Sequence, residues 1–318
     1  MSKFIMSLLI MSQMTSCFHF EKSIPLPVEI DSHAIVYEWN DTLWLFINRF
    51  SEQKTRVYNI NTTYEIALLT ELSMMSSTVV SCKNELVVTG SNSEGKPMTV
   101  GIDSDGNQIW SHAFPEINPI TWPVISCENE LVIAWQESIE TLEVGSFNKK
   151  SDTIFRQSKI EIGAPPVSLY SWKNHLHGIW LEHDKIRHID LLKNQETSVE
   201  LHGERPNAIS FGIANELSYF GWTTKDSVHF KSGEGSEIPS VKLDQTASGE
   251  MTAISGTAPL IWIQAQSLDI DENRNWRSVL VVPGMDVYNV KGYVYAVSWW
   301  KNKIVVVHPK QLLILNSE

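Results

Sequence analysis

A turn motif recurs along this chain at near-equal spacing. Residues 81–88 (SCKNELVV) return almost unchanged as residues 126–133 (SCENELVI). Each copy has apolar residues on both sides of a polar pair that ends in Asn, a residue that tolerates the positive φ of tight hairpin turns. The motif therefore predicts pairs of antiparallel strands joined by short turns.

The motif sets a repeat of about 43 residues. Measured between the first apolar residues after successive turns, the spacings are 43, 45, 45, 41, 43 and 44 residues. Each unit contains short runs rich in β-branched and aromatic residues, separated by Gly, Asn, Asp or Ser. Sheets of this kind are apolar on both faces and need a neighbour on each side. The sequence thus predicts an all-β fold, a seven-bladed β-propeller of four-stranded antiparallel blades. The seven positions that start the second strands are Leu43, Leu86, Leu131, Leu176, Leu217, Leu260 and Ile304.

The last unit offers only three strand-like runs, at 293–299, 303–308 and 311–316. We expect residues 24–30 (IPLPVEI) to supply its missing outer strand. Pro25 and Pro27 are compatible with that place because an outer strand has one unpaired edge. The N-terminal strand would then close the ring.

The N-terminus has the features of a targeting segment. Lys3 precedes an apolar run at 4–11 (FIMSLLIM), which is too short to span a bilayer but suits a signal peptide. Residues 14–17 (MTSC) resemble a bacterial lipobox, which implies lipidation of Cys17. By the same resemblance, Phe18 after the cysteine implies an outer-membrane lipoprotein facing the periplasm or the cell surface. Cleavage without lipid, giving a secreted protein, is the alternative.

The predicted organisation is therefore a signal peptide at 1–16, a lipidated linker at 17–23 and the propeller at 24–318. The chain carries 25 basic and 37 acidic residues, a net charge of −12, and no basic cluster. This balance argues against a nucleic-acid partner and against direct binding to an anionic membrane surface. Contact with a membrane is expected through the lipid anchor only.

Residues 102–110 (IDSDGNQIW) resemble the Asp–Gly–Trp signature of PQQ-like, quinoprotein-type propeller repeats. The Asp-Gly pair would form the turn between the two outer strands, and Trp110 would pack against the next blade. An outer-membrane lipoprotein of the barrel-assembly type is similar in outline. WD dipeptides are absent, which argues against a WD40 protein. The resemblance implies a fold and no particular activity.

The fourth unit is rich in histidine. A two-residue turn at 183–184 would place His177 opposite Asp190 and bring His175 and His188 to the same face of the sheet. Three imidazoles and a carboxylate are a ligand set for Zn²⁺ or another transition metal. Because blade faces pack on their neighbours, a packed and hydrogen-bonded set of histidines is the favoured interpretation.

Alternating oxygen ligands also occur at Asp269, Asp271 and Asn273, as in a calcium loop. The position that needs Gly for the sharp turn is Arg274, so a solvated acidic loop is favoured. No metal or other cofactor is predicted.

Cys82 and Cys127 occupy the same position in successive repeats. A disulfide is chemically allowed in an oxidising compartment. Equivalent positions in neighbouring blades are often too far apart for one, so the sequence predicts two buried thiols instead.

Trp135, Trp180 and Trp222 also recur at matching positions. The repetition predicts packing between blades, and stacking on a glycan or peptide is the alternative.

No nucleophile, base and acid stand together in the sequence; the Ser-rich residues 73–77 lack a neighbouring His and Asp. We therefore predict no catalytic residues. The expected function is that of a non-catalytic, membrane-tethered propeller, monomeric, that binds envelope proteins as a scaffold in the bacterial cell envelope. The alternative is an enzyme or a small-ligand protein that binds a glycan or a quinone cofactor at the mouth of the central channel.

Overall fold

The structure is a computed structural model. It describes residues 18–128, 130–149, 153–162, 167–172, 175–203, 205–214, 217–224, 227–233, 236–242, 251–254, 261–268, 275–281, 287–301 and 303–317. Within these ranges the strands form four-stranded antiparallel sheets, and the predicted all-β fold is confirmed. A single turn of 3₁₀-helix, Phe50–Glu52, interrupts the strands of the described part.

The described strands make up seven such sheets, numbered here in chain order and given from the first strand to the fourth. Sheet 1 consists of β2 (Ala34–Trp39), β3 (Thr42–Arg49), β4 (Lys54–Ile60) and β5 (Ile66–Leu72). Sheet 2 consists of β6 (Met75–Cys82), β7 (Glu85–Ser91), β8 (Pro97–Ile102) and β9 (Gln108–Ala113). Sheet 3 consists of β10 (Val124–Cys127), β11 (Leu131–Ser138), β12 (Thr141–Asn148) and β13 (Thr153–Glu161). Sheet 4 consists of β14 (Ser168–Trp172), β15 (His175–Glu182), β16 (Lys185–Asp190) and β17 (Gln195–Glu200). Sheet 5 consists of β18 (Ala208–Ala214), β19 (Leu217–Thr223), β20 (Ser227–Ser232) and β21 (Glu237–Lys242). Sheet 6 consists of β22 (Met251–Ile254), β23 (Ile261–Leu268), β24 (Asn275–Val281) and β25 (Val287–Lys291). Sheet 7 is β26 (Ala296–Trp300), β27 (Lys303–His308), β28 (Gln311–Ser317) and β1 (Phe18–Pro25).

The repeated motif forms the turn between the first and second strands of a sheet. In sheet 2, Cys82 pairs with Glu85 across a two-residue turn. The positive φ of this turn, 58°, falls on Lys83 and not on the predicted Asn84. In sheet 1 both turn residues, Asn40 and Asp41, have positive φ. The motif thus marks the position of the turn, while its backbone geometry varies between sheets.

Apolar side chains fill the spaces between neighbouring sheets. Clusters of buried residues join sheet 1 to 2, 2 to 3, 3 to 4, 4 to 5, 6 to 7 and 7 to 1. The inner strands of sheets 5 and 6, β18 and β22, are also in contact. The recurring Trp135, Trp180 and Trp222 are buried, each in the cluster that joins its sheet to a neighbour. Four-stranded sheets packed face to face in this way are the architecture of a β-propeller.

The closing strand lies earlier than predicted. β1 pairs with β28 from Phe18↔Ser317 to Pro25↔Gln311, so the assignment of the strand to 24–30 was wrong. The prolines give the reason, because Pro25 is the last paired residue and Pro27, two residues later, has no N–H to continue the ladder. Past the strand only isolated bonds remain, such as Ile30 N–H to the Pro309 carbonyl at 2.9 Å. Most of the segment predicted as a linker, 17–23, therefore belongs to the propeller.

A buried hydrogen-bond network connects sheets 1 and 2. The Asn48 amide donates to the Ser76 carbonyl at 2.8 Å, and its oxygen accepts from the Thr55 hydroxyl at 2.6 Å and the Ser76 N–H at 2.9 Å. All three residues are buried. Since every bond lies out of solvent, the network fixes the position of one sheet relative to the next.

Candidate functional site

A cavity of about 520 Å³ lies between sheets 4 and 5. Polar side chains of sheet 4 form one wall, and apolar side chains of sheet 5 form much of the other. The residues that line it are Trp172, His175, His177, His188, Asp190, Lys193, Gln195, Thr197, Phe211, Ile213 and Ser218. The cavity therefore brings together the histidines singled out in the sequence.

The hairpin of β15 and β16 positions these side chains. Its turn at 183–184 pairs His177 with Asp190, as predicted. The same register pairs Ile179 with His188. Because side chains alternate between the faces of a strand, His175, His177, His188 and Asp190 share one face. The predicted register and shared face are confirmed.

The two buried histidines are hydrogen-bonded in series. His177 Nδ1 lies 3.1 Å from His188 Nε2, and His188 Nδ1 lies 3.0 Å from the Thr197 hydroxyl. The His188 ring stacks on Phe211 with centroids 4.2 Å apart and planes inclined by 19°. Both nitrogens of His188 are thus occupied. His177 Nε2 is buried without a hydrogen-bond partner.

Burial determines the charge of this pair. Desolvation lowers the pKa of His177 to about 4 and that of His188 to about 3. For His188 the neighbouring His177 acts in the same direction, while Asp190 opposes it. Both imidazoles are therefore neutral at pH 7, so the cavity wall offers neutral donors and acceptors there.

Asp190 mainly stabilises the turn after β16. One carboxylate oxygen accepts the N–H groups of Leu192 and Lys193, each at 3.1 Å. The other lies 3.4 Å from His175 Nδ1 and 3.5 Å from Lys193 Nζ. Burial acts to raise the pKa of Asp190, but the Lys193 N–H, the neighbouring histidines and the Lys193 ammonium group outweigh it and hold the pKa below its usual value. The side chain is thus an ionised acceptor engaged within its own hairpin.

The contacts found within this histidine cluster are hydrogen bonds, an ion pair and stacking of the imidazole rings. Among the described residues, no group of three or more His, Cys, Asp or Glu side chains is arranged to hold a metal ion. The calcium-loop candidates Asp269, Asp271 and Asn273 lie outside the described residues, as do the predicted signal peptide at 1–16 and the lipidation site Cys17.

Cys82 and Cys127 form a disulfide, which corrects the prediction of two thiols. Their Cα atoms are 5.5 Å apart, within the range that a disulfide spans. These residues end the innermost strands of sheets 2 and 3, and β6 and β10 are in contact. Radially arranged sheets converge at their inner strands, which is why equivalent positions come close at this place.

The Asp–Gly turn of sheet 2 forms as the sequence indicated. Asp103 accepts the N–H of Asn107 at 2.8 Å, the largest cause of its lowered pKa, and Gly106 has a φ of 88°. Trp110 packs on Phe147 of the next sheet with centroids 5.9 Å apart, as predicted. Its indole N–H donates to Glu85 at 2.9 Å.

Sequence reasoning missed the surface formed by residues 114–123 (FPEINPITWP), the connection from sheet 2 to sheet 3. This loop exposes Ile120 and Trp122, each 51% accessible. Its signal was present as three prolines among large apolar residues, a composition unusual for a solvent-exposed connection. The repeating pattern of strands and turns does not include this loop, because the loop belongs to no strand.

In the described part of the chain no helix has the length and hydropathy needed to cross a bilayer. No family model matches the sequence, and no curated protein does. Solved structures do match. One is a chain in the crystal structure of BBS1N in complex with ARL6DN, at 14% identity and a TM-score of 0.60, covering 95% of this chain and 97% of that one. Another is a chain of the Mitotic Checkpoint Complex, at 12% identity and a TM-score of 0.57, covering 94% and 95%. At such identities the likeness is one of fold, and the chain is an all-β propeller of four-stranded antiparallel blades.

Proposed function

We propose that this chain is a non-catalytic, membrane-tethered propeller that serves as a protein-binding scaffold in the bacterial cell envelope. The observation that carries the proposal is the internal engagement of the histidine cluster of sheet 4, the candidate metal site that the described residues include. Asp190 is held by its own turn, and both nitrogens of His188 are hydrogen-bonded. The two solved structures named above are both protein complexes, which supports a binding role for a propeller of this shape.

The ring itself is part of this proposal. We propose that the seven sheets act as the seven blades of one closed, monomeric propeller, completed by the N-terminal β1. Packing of each sheet on the next, including sheet 7 on sheet 1, supports closure. Closure places the connecting loops around two rims, where a rigid scaffold can present them to a partner.

The test is stoichiometric co-purification from detergent-solubilised envelopes, with labelled palmitate supplied during growth. The wild type is expected to incorporate palmitate and to recover a partner at a fixed ratio. A Cys17→Ser variant is expected to lose the label and to keep the partner, because the propeller is intact. Recovery of no stoichiometric partner by the wild type would contradict the scaffold, and label retained in the variant would contradict the anchor.

A second candidate function is small-ligand binding, placed in the cavity between sheets 4 and 5 and not at the channel mouth. His177, which lines that cavity and whose buried Nε2 has no hydrogen-bond partner, favours it. A buried imidazole nitrogen without a partner is unfavourable, and a ligand that supplied a hydrogen bond would remove that cost. A thermal-shift screen of quinones and sugars would show a shift in the wild type that His177→Phe abolishes. Equal shifts in both proteins would exclude this cavity.

A further inference from the structure

The loop at 114–123 is built to hold apolar side chains at the surface. Pro115, Pro119 and Pro123 each fix φ and restrict the residue before them. Phe114 and Ile117 point inward and are buried. Ile120 and Trp122 are about half exposed, although burying either side chain would lower the free energy.

Hydrogen bonds along the whole loop keep it in place. They run from Phe114 N–H to the Pro97 carbonyl (2.9 Å), from Lys96 Nζ to the Asn118 amide oxygen (2.5 Å), from Ile120 N–H to the Gln136 carbonyl (2.8 Å) and from the Ser77 hydroxyl to the Pro123 carbonyl (2.8 Å). A surface ordered before binding pays little conformational entropy when a partner docks. The loop is therefore pre-organised for contact.

The neighbouring turn of sheet 3 adds a third apolar side chain. Ile139, between β11 and β12, is 63% exposed. Its carbonyl accepts from the Gln136 side chain at 3.4 Å, and the Gln136 carbonyl accepts from Ile120. Gln136 thus brings the turn and the loop to the same end of sheet 3. Ile120, Trp122 and Ile139 are called the apolar patch below.

Acidic side chains occur in the same loop and turn as the apolar patch. Glu116 and Glu140 are exposed and belong to the loop and to the turn. Arg156 is shared between Glu137, at 3.1 Å, and Glu143, at 3.7 Å. One cation thus serves two carboxylates, and the burial of Glu143, with Glu137 beside it, raises its pKa. The carboxylates at the surface of this rim, Glu116, Glu137 and Glu140, outnumber its two cations, Lys96 and Arg156, so the rim is negative on balance.

We propose that the apolar patch binds a polypeptide segment whose large apolar side chains are flanked by Lys or Arg. This rests on the proposed protein-binding function and names its surface and the chemistry of its partner. Trp is enriched at the centres of interfaces, where it dominates the binding energy, and a rim of opposite charge favours association and specificity. A second copy of this chain fits poorly, because two copies of net charge −12 repel each other.

A displayed library of random peptides, selected on the immobilised wild-type propeller, tests the proposal. Enriched peptides should combine aromatic or aliphatic residues with Lys or Arg, and their affinity should fall as salt is raised. Trp122→Ala should weaken them at least about tenfold, the loss typical of a central Trp. Glu140→Lys should reduce both the affinity and its dependence on salt.

Ile109→Ala is the matched control, because Ile109 is also 51% exposed but lies on the outer strand β9. It should leave the affinity within about twofold, since isolated surface residues contribute little. Melting curves check that each variant is folded.

Peptides without basic residues, or peptides that bind Trp122→Ala and the wild type equally, would overturn the proposed surface while leaving the scaffold function standing. Failure to enrich any peptide would count against both. Dimerisation of the wild type that Trp122→Ala abolishes, seen by sedimentation, would assign the patch to a second copy instead.

Discussion

The buried histidine pair predicts that acid destabilises this propeller well above the pH at which carboxylates are protonated. In the unfolded chain each imidazole titrates near its ordinary value of 6.5, whereas in the fold the pKa falls to about 4 for His177 and about 3 for His188. The unfolded state therefore binds more protons than the folded state between these values. The stabilisation that depends on these two neutral imidazoles is fully present above pH 6.5 and is lost as the pH falls toward 4.

The size of the effect follows from these shifts. As the pH falls from about 7 to about 5, the unfolded chain takes up a proton at a histidine that stays neutral in the fold. This difference lowers the free energy of unfolding by about 2 kcal/mol for each such histidine. The hydrogen bond between the two rings couples them, so the pair should contribute roughly 2–4 kcal/mol. Glu143, whose pKa is raised by burial and by Glu137, acts in the opposite direction at the acid end.

Urea unfolding at several pH values, followed by near-UV circular dichroism, measures this loss. His188→Gln removes one of the two buried histidines and should reduce the pH dependence of the free energy of unfolding by about half, because only His177 of the pair remains. Thr197→Val is the control: it removes the hydroxyl bonded to His188 without removing either imidazole, so it should lower stability at each pH and keep the slope. A wild type equally stable at both ends of the range would refute the reasoning, as would a Thr197→Val slope as shallow as that of His188→Gln.

Three further perturbations test the architecture. Asn48→Ala leaves buried hydrogen-bonding partners in sheets 1 and 2 unpaired, and it should lower the free energy of unfolding by about 2–4 kcal/mol. The control is Asn118→Ala, at an exposed position, which should change the free energy of unfolding by less than about 0.5 kcal/mol. Replacing Cys82 and Cys127 by Ser opens a loop with a sequence separation of 45 and should cost about 3–4 kcal/mol in urea unfolding; two free thiols in the denatured, unreduced wild type would contradict the disulfide. Deleting Phe18–Pro25 leaves the β28 edge unpaired and should lower the melting temperature and expose sheet 7 to limited proteolysis, and an unchanged melt would show that β1 does not close the ring.

Local chemistry explains which parts of the fold could be predicted. The bounds of β27, Lys303–His308, match the expected run. Within a hairpin, the turn length and the alternation of side chains determine the register, so the turn at 183–184 was enough to place His177 opposite Asp190. The sequence favoured a packed, hydrogen-bonded set of histidines over a metal site, but it could not name the partners outside the hairpin. Those partners are Thr197 and Phe211, which the repeat pattern does not connect to the histidines.

The sequence by itself determined that short strands repeat, where most of them turn, and that each sheet needs neighbours on both faces, because all of these depend on residues close together in the chain. Only the tertiary structure decided that Cys82 reaches Cys127, that Phe18–Pro25 and not residues 24–30 completes sheet 7, and that Ile120 and Trp122 remain at the surface. The reason is common to the three. Each depends on which segments approach or cover one another when the sheets converge around an axis. Those distances in space cannot be read from the spacing of residues along the chain.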